Sequence, residues 1–492
     1  MLGKLAKQSA TYGVSTILGR LLSYLLTPYY TRLFSPEEYG IITDLYALIP
    51  FALVLLTMGM ESSYFRFSAK AESEGGSKED VTKRKNRLFA TTWGITILLS
   101  GLFCAAVIAC QTPLSEVMGA AYMAQPELVT LVALIVLFDV VACVPFSRLR
   151  EQGQANRYVM LKLMNIVLQV GFAIVFGVAG LFSTKMGVGW VLIANLIASV
   201  VTLLFTVKAT KWIVPRIDPK LLMTILIYSF PLLLSGIAAT ATDFLDRQMI
   251  KYIIPDGAMA QLGLYGAVTK IAVVMTLFTQ MYRLAAEPFF LANFKKEEFV
   301  ESNAAAMKFY IIATTAIFLG ITLFKDLFAY IVGGDFREGI YILPVILASN
   351  LLMGVWLNLS FWYKREESTK YALYITLLGL AASIASNLIL IPISGYFGAA
   401  WSRLISEAVM VLFSYYLLCK HFPIPYDLGR IAQYIVLGGA LYGGSLLIGG
   451  QTENFWIING VAVLFLMVYC LFAARRENID VKGLLSRVKR AK

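Results

Sequence analysis

Tyr39-Gly40-Ile41-Ile42-Thr43-Asp44 returns 226 positions later as Tyr265-Gly266-Ala267-Val268-Thr269-Lys270. The same displacement carries Glu61 onto Glu287. Further on, Gly187-Val188-Gly189-Trp190 is echoed by Gly398-Ala399-Ala400-Trp401 at 211, and Arg157-Tyr158 by Lys370-Tyr371 at 213. Each match is short. Their shared order and nearly constant spacing predict a duplication of close to half the chain, the pattern of helical membrane proteins built from two similar lobes.

The composition around these motifs agrees. Of 492 residues, 59% are hydrophobic and 15% are charged, where a soluble chain carries about 25% charged. Apolar stretches of roughly 20 residues, enough to cross a bilayer as helix, recur about 14 times. They lie near 9–31, 41–64, 88–110, 127–147, 158–181, 187–207, 221–242, 262–283, 305–325, 340–362, 371–392, 398–419, 431–450 and 455–474. The fold expected is an all-α polytopic membrane protein. The first stretch is long and lacks a small-residue cleavage site, so it reads as a spanning helix and not as a signal peptide.

The net charge of +12 invites a nucleic-acid reading, but its distribution excludes one. Lys and Arg fall on alternate connections, among them Arg66 to Arg87, Arg148 to Arg157, Lys208 to Lys220 and the tail from Arg475, whereas 111–126, 393–397 and 451–454 have none. Basic connections stay in the cytoplasm, so both termini are expected there and the helix number is even. Five cysteines lack metal-ligand spacing, and the single histidine, His421, has no acidic cluster beside it. No metal or cofactor is expected. No nucleophile, base and orienter come together, and no long outer loop is present, so the chain does not read as an enzyme.

Six crossings return the chain to the side on which it began. Residues 1–210 (helices 1–6) and 211–425 (helices 7–12) are therefore expected as lobes of equal orientation, related by an axis along the membrane normal. Residues 426–492 add helices 13–14 and a basic tail. Proline-containing basic connectors, Lys208–Lys220 and Lys420–Arg430, mark the boundaries. Residues 68–87, with Gly75-Gly76, read as a mobile loop, and 284–303, with Phe289-Phe290 and Lys295-Lys296, as an amphipathic helix on the membrane surface.

Three blocks carry a family likeness: Gly19-Arg20-Leu21-Leu22 with Pro28-Tyr29-Tyr30-Thr31-Arg32-Leu33-Phe34-Ser35-Pro36-Glu37-Glu38-Tyr39-Gly40; Asp246-Arg247 with Gly263-Leu264-Tyr265-Gly266; and Asn387-Leu388-Ile389-Leu390-Ile391-Pro392 with Gly398-Ala399-Ala400-Trp401 and Glu407. In these the chain resembles the Wzx-type polysaccharide (O-antigen) flippases of the multidrug/oligosaccharidyl-lipid/polysaccharide superfamily. The resemblance implies a two-lobed fold like that of multidrug (MATE) transporters and the lipid II flippase. It implies a job at the bacterial inner membrane, namely turning an undecaprenyl-diphosphate-linked oligosaccharide from the inner to the outer face. Other partners implied are membrane lipids, a proton or sodium ion for coupling, and polysaccharide polymerase machinery. In the lipid II flippase the extra helix pair makes a groove for the lipid tail, and helices 13–14 here are open to the same reading. A multidrug cation antiporter and a lipid II flippase stand as alternatives. The first would want carboxylates and aromatics in its cavity.

A diphosphate crossing hydrocarbon needs cations, and a charge inside a spanning helix is a functional candidate by default. Arg20 lies near the middle of helix 1 with no acidic residue a turn away. Lys270, Arg403 and Arg247 complete the cavity candidates, although Glu407 and Asp243 stand one turn from the last two and offer intrahelical pairing instead. Asp44 is the repeat partner of Lys270. The two are expected either to pair as a gate or to line the lumen separately. Glu61 and Glu287 are candidates for a cytoplasmic gate with Arg66 and Arg283, or solvated helix ends. Asp139 is a candidate coupling-ion carboxylate. Asn195, Asn350 and Asn387 are candidate sugar contacts, with hydrogen-bonding between helices as the competing role.

Overall fold

A computed structural model describes residue 24 and residues 26–210, 212–291, 296–366, 368, 370–452 and 454–478. Among them every regular element is helical. Among the described residues twelve helices are long and apolar enough to cross a membrane, or 13 if the bent pair Ala258–Ile271 and Val273–Glu287 counts as one span. These 13 coincide with the second to fourteenth stretches expected. The first, 9–31, lies largely outside the described residues, as do Arg20 and the Gly19–Leu22 motif.

The chain divides into two compact units, residues 1–266 and 267–492. The first contains α1 (Leu26–Leu33), α2 (Pro36–Thr57), α3 (Met60–Ser73), α4 (Lys78–Ala109), α5 (Gln111–Met118), α6 (Ala120–Ala124), α7 (Glu127–Glu151), α8 (Ala155–Val178), α9 (Gly189–Thr210), α10 (Pro219–Ile253) and the start of α11 (Ala258–Ile271). Its starts are written locally. Ser35 and Glu38 form a capping box before α2, with Pro36 in the first turn, and Asp218 accepts from the Lys220 and Leu221 amides before α10.

Helix α7 is the spine of this unit. Leu128, Ile135, Val136, Val140 and Val144 are fully buried along it, between α4 and α9. By contrast α8 buries only Ala155, Leu161 and Ala173, although it is just as apolar. In lipid an exposed apolar face costs nothing, so position in the bundle, and not hydropathy, decides which helix is buried.

The second unit continues with α12 (Val273–Leu291), α13 (Lys296–Thr322), α14 (Lys325–Ala329), α15 (Leu343–Leu359), α16 (Phe361–Arg365), α17 (Lys370–Ser394), α18 (Tyr396–His421), α19 (Leu428–Gly449) and α20 (Phe455–Arg476). Helices α17 and α18 lie side by side, with the Ser406 hydroxyl donating to the Gly379 carbonyl at 2.7 Å. The final pair, α19 and α20, leans on α13. The Tyr469 hydroxyl reaches the Ile312 carbonyl at 3.2 Å, and Glu477 receives Lys308 and the Tyr434 hydroxyl, the latter at 2.7 Å.

Two expectations about connections are corrected. Residues 68–87 are not a long loop: α3 runs to Ser73 and α4 starts at Lys78, leaving a short turn in which Gly75 and Gly76 take the left-handed φ values of 68° and 107°. Nor do 284–303 form a separate surface helix. Residues up to Leu291 continue α12, and Lys296 already opens α13. Phe290 stacks on Phe361 at 5.0 Å and Phe299 meets Phe422 at 5.7 Å. Of the Phe289-Phe290 pair that suggested a membrane-surface face, Phe290 belongs to the unit's own core, while Phe289 stays exposed.

Candidate functional site

Helix α2 and α11, which carry the two copies of the repeat motif, touch through its glycines. A Cβ on Gly40 would strike the Met259 carbonyl, one on Gly263 the Pro36 carbonyl, and one on Gly266 the Thr43 side chain. Backbones this close require residues without a side chain. The contact fixes α2 one turn before Asp44.

Asp44 is wholly buried and Lys251 is 8% exposed. The Lys251 ammonium lies 2.6 Å from Asp44 Oδ2. The Gln248 amide donates to Asp44 Oδ1 at 2.6 Å, and the Tyr122 hydroxyl donates to Oδ2 at 2.5 Å. The face of the Tyr122 ring lies 4.5 Å from the same ammonium. Three donors satisfy the carboxylate, and the cation has an anion and an aromatic face. That arrangement offsets the desolvation of both charges. One side chain comes from α2, one from α6 in the 111–126 connection, and two from the last turns of α10.

Helix α10 makes this possible by its length. Its 35 residues extend about 52 Å at 1.5 Å per residue, well beyond a hydrocarbon core of about 30 Å. Lys251 stands on the excess. The sequence reading ends this helix at 242, because Asp243, Asp246, Arg247 and Gln248 interrupt the apolar run. The true stop signal, Pro255-Asp256-Gly257, comes three turns later. Lys251 and Gln248 escape the sequence reading for that reason, and Tyr122 because it lies on the short α6 of the 111–126 connection, outside the apolar stretches. Asp44 has Lys251 as its cation, so the Asp44–Lys270 pair, one of the two arrangements open to these residues, is not the one formed. Lys270 itself belongs to the second unit, is exposed, and ends α11 just before the 49° bend into α12.

The cytoplasmic-gate candidates pair within their own units. Glu61 on α3 is bound by Arg150 at the end of α7, while Arg66 lies over the Tyr228 ring at 4.2 Å. Glu287 on α12 takes Lys364 of α16 at 2.8 Å and the expected Arg283 at 3.2 Å. Glu61 therefore departs from the expected Arg66 partner, because α7 ends beside it.

Asp139 on α7 faces Ser199 of α9, with Lys162 within Coulomb range. It belongs to a polar seam inside the first unit, where Gln169 donates to the Tyr46 hydroxyl at 3.1 Å and Asn165 to Thr202 at 3.1 Å, with Asn195 also beside Tyr46. Arg247 is half-buried and donates to the Asp243 carbonyl at 2.6 Å. Arg403 and Glu407 are half-buried one turn apart on α18. Asn350 points its amide at the Ala272 carbonyl at 3.5 Å, in the break between α11 and α12. Asn387 is fully buried and donates to Ser383 Oγ at 3.3 Å. Among the described residues no group of His, Cys, Asp and Glu has the makings of a metal site.

Known proteins place this architecture. The chain is 22% identical over 414 residues to an Lsg locus protein of Haemophilus influenzae, covering 80% of this chain and 95% of that one. The solved lipid II flippase MurJ, in an inward closed conformation, superposes with a TM-score of 0.71 at 14% identity, over 94% of this chain and 98% of that one. An inward-facing multidrug resistance MATE family transporter of the MOP superfamily gives 0.63 at 16%, over 82% and 96%. These likenesses establish the fold. The family model described as "Polysaccharide biosynthesis protein" matches residues 5–294, more than half the chain, and the protein belongs to that family.

Proposed function

We propose that this protein is a flippase that carries a polyprenyl-diphosphate-linked oligosaccharide from the inner to the outer face of the bacterial inner membrane by alternating access. Membership of a polysaccharide biosynthesis family, on a fold like those of MurJ and MATE transporters, supports the class of activity. The observation that carries the mechanism is the buried Asp44–Lys251 pair. It ties helix 2 to helix 7, the first helix of the second repeat, beside a connection devoid of Lys and Arg. By the positive-inside rule that connection is external, so the pair is an outer gate, closed while the protein accepts cargo from the cytoplasm.

Such a gate suits its task. A buried ion pair adds little net stability over apolar packing but is specific in geometry, and it is costly to half-break. Cargo reverses it only by binding the outward-open state better than the inward-open one. Arg20, Lys270, Arg403 and Arg247 are the cations proposed to receive the diphosphate. Asp139, in its polar seam, is the carboxylate proposed to take the coupling ion.

The experiment is replacement of the gene in a strain with no redundant flippase. Lipid-linked repeat units should accumulate on the inner leaflet and surface glycan should disappear. Normal surface glycan in that strain would overturn the proposal. Rescue of a strain lacking its lipid II flippase would move the substrate to lipid II, and drug efflux with unchanged glycan would favour the cation antiporter.

A further inference from the structure

Between α4, α7 and α9 of the first unit lies a groove of about 530 Å³, away from the Asp44 cluster. Trp93, Phe138, Val141 and Leu204 line it, Trp212 closes one end, and Lys208 stands at the rim. Its volume falls within the roughly 300–1,000 Å³ of small-ligand sites. The walls are held in place: the Trp93 indole donates to the Val141 carbonyl at 3.0 Å. Trp212 meets Trp93 edge-to-face at 5.4 Å, and the chain after it is pinned by the Arg216 amide on the Ala90 carbonyl at 3.2 Å.

Lys208 is exposed and forms no ion pair among the described residues. Nearby Arg87 and Asp218 already satisfy each other. Among the described residues that line the groove, Lys208 is the one charged side chain, standing above an apolar slot with tryptophans of the kind that settle at the membrane–water boundary. We propose that the groove binds an anionic phospholipid of the leaflet facing the basic connections, with one acyl chain in the slot and the phosphodiester on Lys208. A phosphodiester's single negative charge matches the Lys208 ammonium, and the apolar slot below it suits an acyl chain, so the occupant proposed is a membrane lipid and not the diphosphate-bearing cargo. The site therefore stands independently of the flippase reading.

Tryptophan quenching by brominated acyl chains tests this on the full chain in vesicles. Subtracting the signal of Trp212→Phe isolates the groove. A cationic side chain near an anionic headgroup contributes about 1 kcal/mol, or roughly fivefold in relative affinity. Brominated phosphatidylglycerol should therefore quench at about one-fifth the mole fraction needed for brominated phosphatidylcholine. Lys208→Gln should abolish the preference, Lys208→Arg should keep it, and Val141→Phe should reduce quenching by both lipids. Equal quenching in the wild type would overturn the proposal, as would a preference that survives Lys208→Gln in monodisperse protein. Displacement of the brominated lipid by stoichiometric undecaprenyl phosphate would overturn it too, and would give the groove to a polyprenyl chain.

Discussion

Two pairs of repeat-related positions behave in opposite ways. Glu61 and Glu287 occupy the same place in the duplication, and each is bound by a basic residue contributed from the end of helix 4 or its counterpart, helix 10: Arg150 in one unit, Lys364 in the other. Asp44 and Lys270 also occupy one repeat position, yet the first is buried in an ion pair and the second is an exposed cation at a helix bend. Each member of the first pair makes its contact within its own unit. On the function proposed above, the second lies where the two copies do different work. Symmetry would then mark scaffold, and its loss would mark the gate.

The largest test of that contrast is at Asp44. Asp44→Asn leaves the buried Lys251 ammonium without its anion, and Lys251→Gln leaves the carboxylate without its cation. Each should cost about 3–5 kcal/mol, as removal of one partner from a buried pair does. Thermal unfolding in detergent measures it. The double variant should recover most of the loss. If the two single losses simply add in the double variant, the two charges are not coupled and the gate fails as an explanation. Gly263→Ala should come next. Its new Cβ must displace the Pro36 carbonyl, and overpacking of this kind costs about 1–3 kcal/mol. The same change at Gly439, where nothing lies within 4 Å, is the control and should be neutral or stabilising.

The spans were legible because crossing a bilayer imposes length and apolarity on contiguous residues, which a sequence displays directly. Helix ends in polar surroundings were not. Hydropathy is blind to whether a charged stretch is helical, so α10 read as finished at Asp243 and the charged start of α4 read as loop. Turn chemistry was the better guide there, in Gly75-Gly76 and Pro255-Asp256-Gly257. Asp44 was legible as a candidate, since a charge within a span needs a reason. Its partner was not, because the choice between Lys251 and Lys270 depends on how helices rotate and how far α10 extends. Which helix of the bundle faces lipid was equally hidden: α7 and α8 are alike in composition.

Helices α19 and α20 have no counterpart in the first unit, and one carboxylate fastens them. The Glu477 side chain is 5% exposed. Burial alone would raise its pKa, but the Lys308 ammonium, the Tyr434 hydroxyl and the Arg430 charge outweigh that and hold it below the ordinary glutamate value. A carboxyl depressed in the folded state contributes stability above its unfolded pKa of about 4.3, and that contribution is lost as pH falls through the folded value. Hydrogen exchange across α19–α20 should therefore be flat from pH 7 to about 4.5 after correction for intrinsic rates, then rise at lower pH. Glu477→Gln should exchange faster throughout and lack the acid-dependent step. A step of equal size in that variant would assign the acid sensitivity to other carboxylates.

The smallest effects should come from the symmetric pairs that open the comparison. Glu61 and Arg150 are 45% and 35% exposed, whereas Glu287 and Lys364 are 30% and 26% exposed, with Arg283 as a second partner for Glu287. Exposed ion pairs contribute about 0–1 kcal/mol, because water screens the attraction and long side chains lose entropy in making it. Glu61→Gln should thus lie near the bottom of that range and Glu287→Gln near the top, each read as a shift in unfolding temperature that shrinks in high salt. If these pairs are scaffold, neither change should alter the rate of glycan export at permissive temperature. A loss of export by Glu61→Gln without loss of stability would break the distinction, and would return the start of α3 to the list of gates.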